Sequence, residues 1–432
     1  MPARSRHHHA ASAAIRTLTR SPMPSSQATP FPAASHPLAD RTVLQIIPEL
    51  DAGGAERTAV DVAAALAAAG ARALVATEGG RLVGELQAKG GAWVPFPARS
   101  KNPFAMALHV GRLMRICRAE RVDLIHARSR APAWVALGAA RRLRIPFVTT
   151  YHGSYAGRSP AKLLYNSVMA RGDVVIANSH FTAAAIRRLF PQVAGDRVRV
   201  IHRGTDLAAF APAQVAPQRV EALRRAWGVA PHERVVLLAA RLTPWKGHRV
   251  LIEAAAALRA QGLAEFTVVL AGDPQGRTAY VRELDALIAA HGLAAHVKRV
   301  GHCSDMPAAY RAASVVAVPS TEPEAFGRSA VEAQALGTPV VVSDLGAVPE
   351  TVLAPPEVAA HERTGWRVTP GDPQALAGAI AEALQLGASA RDALVRRARR
   401  HVEAHFSLDL MLADTLTVYA ELLGAEPPGE GS

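Results

Sequence analysis

The sequence has very little cysteine, since only Cys117 and Cys303 occur in 432 residues. They lie far apart, and neither belongs to a Cys-x-x-Cys pair. This spacing argues against a disulfide framework or a zinc site and predicts a reducing compartment. The chain also has no apolar run near the ~18 residues that a membrane-spanning helix requires, so no membrane span is expected.

Aromatic residues and glycine fingerprints for dinucleotides are scarce as well. Aromatics make up 5% of the chain and seldom alternate with basic residues, although 49 Lys and Arg against 36 Asp and Glu leave a net charge of +13. Because zinc-finger and RNP-like motifs are missing, this excess favours an anionic membrane surface or phosphorylated substrates over nucleic acid. The Gly-x-Gly-x-x-Gly fingerprint is also missing, which argues against NAD binding.

The two ends of the chain differ in composition from the rest. Residues 1–40 are rich in Ser, Pro and Ala and are expected to form a disordered tail. Either a transit peptide or a mis-assigned start codon would account for that tail. Residues 425–432 are predicted to form a second, short tail.

Between these ends, strands and helices alternate. Six strands are predicted between Val43 and Ile201, and five between Val235 and Val342. Such alternation predicts an α/β protein with parallel sheets. A chain of this length fits two domains of roughly 150–200 residues each. We therefore predict one domain over residues 41–212 and a second over residues 213–406.

One strand–loop–helix unit carries the strongest functional signal. The apolar run Val315–Pro319 leads through a loop to Gly327, where a helical pattern begins. The first amides of a helix have no partners and suit a phosphate. Glu324 precedes this anion site and Glu332 follows it, and carboxylates accept hydrogen bonds from sugar hydroxyls. The order matches a ligand built as sugar, diphosphate and ribose, although two carboxylates of this kind are equally compatible with a helix cap and a helix surface.

Two cations follow the first strand of the second predicted domain. Arg241 and Lys246 are separated by four residues in a loop that is expected to face the ligand crevice of a parallel sheet. They would neutralise a diphosphate and stabilise the charge that grows on it when a sugar leaves. A solvated basic loop is the alternative interpretation.

The first predicted domain contributes glycines and histidines at the ends of its strands. Gly53 and Gly54 allow a ligand to approach the backbone closely, or else form a plain strand-to-helix turn. His152 ends a strand, where a single histidine is more often structural. His126 also ends a strand, and we assign it to the acceptor side or to a structural role rather than to chemistry.

Taken together, these motifs resemble those of the retaining nucleotide-sugar glycosyltransferases of family 4. Glu-x7-Glu, with Arg-x4-Lys upstream and Gly-Gly-Ala-Glu-Arg near the start, carries the resemblance from about Val43 to Leu422. It implies the GT-B fold, in which two Rossmann-like domains face each other across a cleft. It also implies that a last helix, residues 407–424 here, crosses back to the first domain.

The resemblance implies a role for each candidate residue. Glu324 and His152 would contact the transferred sugar, and Glu332 would contact the ribose. Arg241 and Lys246 would hold the pyrophosphate without any metal. The loop carrying Gly53 and Gly54 would lie across the cleft from the donor phosphates. The amides expected at the distal phosphate belong to Phe326, Gly327 and Arg328. Arg328 departs from the family pattern, which usually has an apolar or small polar residue there, and this puts the usual hexose in doubt.

The implied activity is retaining transfer of a sugar from a nucleotide diphosphate sugar to a carbohydrate or lipid-linked acceptor. We expect front-face attack within a loose ion pair, no cofactor, and a role in synthesis of cell-surface polysaccharide, lipopolysaccharide or glycolipid. A nucleotide-sugar 2-epimerase and an inactive sugar-nucleotide sensor of the same fold are the alternatives.

A cytoplasmic location is expected, and peripheral contact with the inner face of the plasma membrane is the alternative considered beside it. Arg112, Arg115 and Arg118 recur every third residue on one predicted helix. A solvated helix face is the default interpretation of such spacing, and contact with an anionic membrane is the alternative.

Overall fold

A computed structural model describes residues 36–51, 53–153, 159–193 and 195–424. The predicted tail of residues 425–432, and most of the tail predicted for residues 1–40, lie outside these ranges. Residues 36–40, predicted as part of that tail, are instead packed on the protein, because Leu38 is fully buried and the Asp40 amide donates to Gly70 O at 3.0 Å.

Two parallel sheets form the framework. The first has seven strands in the order β3-β2-β1-β4-β5-β6-β7, and the second has six in the order β10-β9-β8-β11-β12-β13. The first-sheet strands are β1 (Thr42–Ile46), β2 (Arg72–Thr77), β3 (Ala92–Pro95), β4 (Leu124–Ala127), β5 (Phe147–Tyr151), β6 (Val174–Ala177) and β7 (Val198–Val200). The second-sheet strands are β8 (Arg234–Ala239), β9 (Phe266–Ala271), β10 (Val297–Gly301), β11 (Val315–Val318), β12 (Val340–Ser343) and β13 (Trp366–Val368).

Helices connect these strands and cover the sheets. Those associated with the first sheet are α1 (Gly54–Ala68), α2 (Val83–Ala88), α3 (Pro103–Ala119), α4 (Arg130–Leu143), α5 (Pro160–Asn166) and α6 (His180–Leu189). Those that follow are α7 (Pro217–Ala226), α8 (His248–Ala260), α9 (Thr278–Ala290), α10 (Met306–Ala312), α11 (Arg328–Ala335), α12 (Val348–Thr351), α13 (Pro373–Leu384), α14 (Ala388–His405) and α15 (Leu408–Leu422). Short 3-10 helices lie at Ser167–Ala170, Gly195–Arg197, Pro212–Gln214 and Pro244–Lys246.

The last helix returns to the first sheet. Met411, Leu416 and Tyr419 of α15 are buried in the same cluster as Val43 of β1. The Tyr419 hydroxyl lies 2.5 Å from His126 Nδ1, and His126 Nε2 lies 2.7 Å from Thr150 Oγ1. His126 Nδ1 therefore helps to hold the last helix on the first sheet, whereas Nε2 contacts the neighbouring strand β5, and both contacts fit a structural role for this residue.

The structure has one strand more in each sheet than the six and five predicted, and the missed strands are short and lie at the sheet edges. β3 and β13 are the outer strands of their sheets, with four and three residues, and β3 has no fully buried side chain. Their apolar patterns are therefore weak, and so are those of α2 and α12, with six and four residues. Residues 160–170 form α5 followed directly by a 3-10 turn. Within the described ranges, no helix combines the length and apolar character that crossing a bilayer would require.

Candidate functional site

Two loops at the carboxyl ends of the second-sheet strands meet. The loop after β8 carries Lys246, and the loop after β11 carries Glu324. The Thr321 amide donates to Trp245 O at 2.8 Å, which joins the two loops. Gly247 has a φ of +75° and lies against Pro319 O, where a Cβ atom would be only 1.8 Å from that oxygen. Only glycine allows this approach, so the backbone itself holds the loops together.

Lys246 and Glu324 form an ion pair at this junction. Lys246 Nζ lies 2.7 Å from Glu324 Oε1, and the two side chains are 17% and 10% exposed. The Ser320 hydroxyl donates to the same carboxylate oxygen, and the ammonium also lies 4.1 Å from the centre of the Trp245 ring. No described residue hydrogen-bonds the other carboxylate oxygen, Oε2. The structure thus brings together two residues that the sequence analysis had assigned to different parts of one ligand.

Arg241 lies in the same loop but is exposed and has no ion-pair partner among the described residues. Its carbonyl accepts from the Thr243 amide at 2.8 Å, and the neighbouring Leu242 is buried. The backbone of this loop is therefore fixed while the guanidinium remains available to a ligand.

The tip of α11 follows directly. Gly327 has a φ of +87° and precedes the first helical residue, Arg328, as predicted. Phe326 is 4% exposed and its ring stacks edge-on against Phe406, with centroids 5.5 Å apart. The Glu324 carbonyl accepts from the Ala347 amide at 2.9 Å. The loop before the helix tip is therefore held by an aromatic anchor and a backbone hydrogen bond.

Glu332 is buried one turn inside α11 and accepts hydrogen bonds from two partners. Arg328 Nη2 and Nε donate to its Oε1 at 2.6 and 3.0 Å, and the Tyr310 hydroxyl donates to Oε2 at 3.0 Å. Burial, and then the charge of Glu332, raise the pKa of Tyr310, so this hydroxyl stays a donor. The same carboxylate raises the pKa of Arg328, which is therefore paired within its own helix. We name Lys246, Glu324, Arg328 and Glu332 the second-sheet cluster.

The glycine loop of the first sheet lies against an arginine. Gly54 opens α1, and a Cβ atom on it would lie 2.0 Å from Arg203 Nη2. Burial, with the charge of Arg328 second, lowers the pKa of Arg203 to about 10. A Cβ atom on Gly53 would meet the Glu56 carboxylate in the same way. The two glycines therefore give room to charged side chains, and Arg203 lies within electrostatic reach of Arg328 and Glu332 in the second-sheet cluster.

His152 follows β5 on the same side. Burial, together with the charges of Arg128 and Arg203, lowers its pKa to about 3. Its Nε2 atom is buried and has no hydrogen-bond partner. A neutral imidazole of this kind can orient a hydroxyl but carries no positive charge at neutral pH.

A carboxylate from the second sheet's helices caps a first-sheet helix. Glu350 of α12 accepts from the backbone amides of His180 and Phe181, each at 2.7 Å, and from His202 Nε2 at 3.1 Å. Burial alone would raise the pKa of Glu350, but these hydrogen bonds lower it below its ordinary value. His180, His202 and Glu350 are also the one trio of potential metal ligands found within the described ranges, with ligand atoms within 4.8 Å of one another.

Models of two protein families match the chain. The model described as "Glycosyltransferase Family 4" matches residues 52–209, and that described as "Glycosyl transferases group 1" matches residues 219–401. A D-inositol 3-phosphate glycosyltransferase of Jonesia denitrificans is 34% identical over 317 residues, which cover 69% of this chain and 71% of the relative. The chain belongs to glycosyltransferase family 4. Its resemblance to that family is thereby confirmed, and the protein is a glycosyltransferase enzyme.

Solved structures agree with the GT-B fold of this family 4 glycosyltransferase. A glycosyltransferase from Rickettsia africae matches with a TM-score of 0.81 at 32% identity, covering 90% of this chain and all of that one. The Anabaena protein HepE, in complex with UDP and glucose, matches with a TM-score of 0.75 at 27% identity, covering 88% of this chain and all of that one. The predicted pair of Rossmann-like parallel sheets, with a last helix that returns to the first, is confirmed.

Proposed function

We propose that this glycosyltransferase moves a sugar from a nucleoside diphosphate sugar to an acceptor with retention of anomeric configuration. The observation that carries the proposal is the meeting of Lys246 and Glu324 just before the Gly327 helix tip. Glu324 is then placed for the sugar of a diphosphate sugar, and Lys246 and the free amides at the Gly327 helix tip are placed for its diphosphate. The complex of HepE with UDP and glucose supports UDP-glucose as the first donor to test.

Lys246 and Arg241 would act on the leaving group. When the diphosphate binds, Lys246 exchanges its bond to Glu324 for phosphate oxygens, and the exposed Arg241 guanidinium closes on the same group. Fixed positive charge there stabilises the phosphate as the bond to the anomeric carbon breaks. Released from Lys246, Glu324 accepts hydroxyl groups of the sugar. Because these cations and the helix amides supply the positive charge, we expect the reaction to need no metal.

Retention would then follow from front-face attack. The acceptor oxygen bonds to the anomeric carbon on the side from which the diphosphate departs, and its proton passes to a phosphate oxygen. The neutral His152 orients a hydroxyl without taking a proton. Glu332, held by Tyr310 and Arg328, accepts the ribose hydroxyls.

Product analysis tests this proposal. Incubation with UDP-glucose and an acceptor, in the presence of EDTA, should yield UDP and an α-linked product by proton NMR. A β-linked product would overturn retention, and loss of turnover in EDTA would overturn metal independence. An epimerised free sugar formed without acceptor would identify a 2-epimerase instead. Binding of UDP-glucose with no product of any kind would indicate a sensor.

The acceptor side offers two further supports. The curated relatives are named D-inositol 3-phosphate glycosyltransferases, so a phosphorylated polyol belongs among the acceptors to test alongside carbohydrate and lipid-linked ones. In addition, Phe104 and Leu108 of α3 are 84% and 77% exposed on a helix that also exposes Arg112 and Arg115. Apolar and basic side chains on one helix fit the surface of an anionic bilayer.

Vesicle sedimentation tests the membrane contact. The protein should pellet with vesicles that contain phosphatidylglycerol, less so in high salt, and not with phosphatidylcholine alone. A variant with Phe104→Ser and Leu108→Ser should lose this binding, whereas Leu164→Ser, also at an exposed leucine, should keep it. Equal pelleting of all three proteins would contradict the assignment of this surface.

A further inference from the structure

A cavity of about 30 Å³ lies at the carboxyl edge of the first sheet, beneath the start of α1. We name it the first-sheet cavity. Arg128, His152, Asn178 and Arg203 line it, together with Thr58 of α1. Because a water molecule needs ~10–15 Å³ by this measure, the space suits about two oxygen-sized groups.

The lining of the first-sheet cavity is positively charged. Its described residues include two arginines and no carboxylate. Arg128 is only 3% exposed, and its Nη2 atom is buried without a hydrogen-bond partner. Its Nε atom is fixed at 2.6 Å from Gln45 Oε1, a neutral acceptor. A buried guanidinium without a counter-charge is costly to fold, so an anion that enters the cavity gains a strong, oriented interaction.

The nearest acidic groups do not neutralise these arginines. Neither Arg128 nor Arg203 forms an ion pair with any described residue. Glu332, Glu56 and Asp61 act on Arg203, and the Tyr419 hydroxyl and Asp61 act on Arg128, but no carboxylate among the described residues is within ion-pair distance of either guanidinium. The Asp61 carboxylate itself lies 3.7 Å from Lys89. The neutral His152 adds a buried nitrogen without a partner to the same lining. Several unmatched polar groups thus converge on one small space.

The cavity also lies beside the site already described. Arg203 lines it and at the same time touches Gly54 in the glycine loop. Arg203 is also within electrostatic reach of Arg328 and Glu332. A ligand held here would therefore lie on the first-sheet side of the donor, where an acceptor must approach.

We propose that the first-sheet cavity is an anion subsite that receives the carboxylate or phosphate group of an acidic acceptor. Arg128 binds the oxyanion at the inner end and Arg203 binds it at the mouth. Guanidinium groups suit this task because their paired N–H donors match the oxygens of carboxylate and phosphate. The choice of an acceptor's anion as the occupant rests on the proposed glycosyl transfer, whereas the binding of an oxyanion does not.

Thermal unfolding with inorganic phosphate as the probe tests the subsite itself. UDP is added at saturation so that phosphate cannot report on the donor site. Phosphate should raise Tm of the wild type and of Arg249→Met, a matched charge loss at an exposed arginine of α8. Arg128→Met should abolish the phosphate effect. In phosphate-free buffer the loss of an uncompensated buried charge should offset the loss of the hydrogen bond to Gln45, so Tm should change little.

Two results would overturn the subsite. They are the absence of a phosphate effect in the UDP-loaded wild type and an unchanged phosphate effect in Arg128→Met. An unchanged effect together with a lower Tm in both buffers would show that Arg128 is structural. If Arg128→Met does not fold, Arg203→Met at the mouth takes its place, with the same expectations for the phosphate effect.

Calorimetry on the UDP-loaded protein identifies the source of the anion. Inositol 3-phosphate should bind the wild type at least about tenfold more tightly than inositol, and Arg128→Met should remove that difference. Free phosphate should compete with inositol 3-phosphate. If phosphate instead promotes inositol binding, the subsite holds a free ion and the acceptor assignment is wrong. UDP affinity is measured on the same samples, so failure of UDP to bind would count against the proposed function and not against the subsite.

Discussion

The two sides of the site differ in whether their cations are paired with carboxylates. In the second-sheet cluster each cation contacts a carboxylate, Lys246 with Glu324 and Arg328 with Glu332. Around the first-sheet cavity, Arg128 and Arg203 have no such partner among the described residues. The second side must therefore exchange bonds when an anion binds, whereas the first side already presents its charge.

This difference indicates two recognition strategies within one enzyme. A paired cation binds an anion only when the new contacts exceed the old, which favours a ligand that also offers hydroxyls to the released carboxylate. A diphosphate sugar meets that condition, and a simple phosphate does not. An unpaired buried cation binds any small oxyanion that fits, so shape and burial set its selectivity.

Of the substitutions that test the difference between the two sides of the site, Glu324→Gln should have the largest effect. The amide no longer pairs with Lys246 as an ion and no longer presents a carboxylate to the sugar, so kcat should fall by about 100- to 1000-fold. UDP affinity, measured by calorimetry, should stay the same or improve because Lys246 is released. Glu322→Gln, at an exposed glutamate two residues earlier, should leave both values unchanged. Unaltered turnover in Glu324→Gln would contradict its role.

Lys246→Met separates the two cations of the same loop. The loss of a charged donor to the diphosphate should weaken UDP binding by about 10- to 100-fold in calorimetry. Arg241→Met should have a smaller effect, since that side chain is exposed and screened by solvent. Equal UDP affinity in all three proteins would contradict the diphosphate assignment of both residues.

Gly327→Ala tests whether the helix tip depends on its backbone conformation. At a φ of +87° an alanine costs about 1–2 kcal/mol of unfolding free energy, and UDP affinity should fall with it. Gly378→Ala is the matched control, because Gly378 lies inside α13 with open space around it. That change should raise the unfolding free energy by about 0.5–1 kcal/mol in urea titrations. A stable Gly327→Ala protein with full UDP affinity would argue against phosphate binding at the Gly327 helix tip.

His152 gives the first-sheet side a pH dependence of its own. Since its pKa is lowered to about 3, the unfolded chain takes up a proton near pH 6.5 while the folded protein does not. Stability is therefore lost as pH falls below about 6.5, by about 1.4 kcal/mol per pH unit for this one proton. His152→Gln should make the decline between pH 6 and 5 shallower in urea titrations, whereas His232→Gln, at an exposed histidine, should not. Identical slopes in all three proteins would show that His152 is protonated when folded.

The fold was largely predictable because its central strands are buried on both faces. Runs such as Val315–Val318 are continuously apolar, and parallel sheets require that pattern. The outer strands β3 and β13 are short and partly exposed, so their sequences carry little of it. In the same way, the part of the second-sheet cluster formed by Glu324, Arg328 and Glu332 was predictable because these residues follow one another along a single loop and helix.

Contacts between distant segments were not predictable. Lys246 and Glu324 lie 78 residues apart, and Tyr310 reaches Glu332 from a separate helix. Arg128 stands two residues after His126, yet the motif drew attention to the histidine, which the structure uses for packing. The position of Arg128, directly after a buried strand, could have indicated a functional site, because arginine is rarely buried unless it has a partner.

A crystal structure of the protein with UDP-glucose tests the central claim most directly. The account predicts that Lys246 Nζ and the Arg241 guanidinium both lie within ~3.2 Å of diphosphate oxygens, beside the amides at the Gly327 helix tip. Glu324 should then hydrogen-bond the glucose and no longer Lys246. A structure in which Lys246 remains on Glu324, with both cations away from the diphosphate, would contradict it.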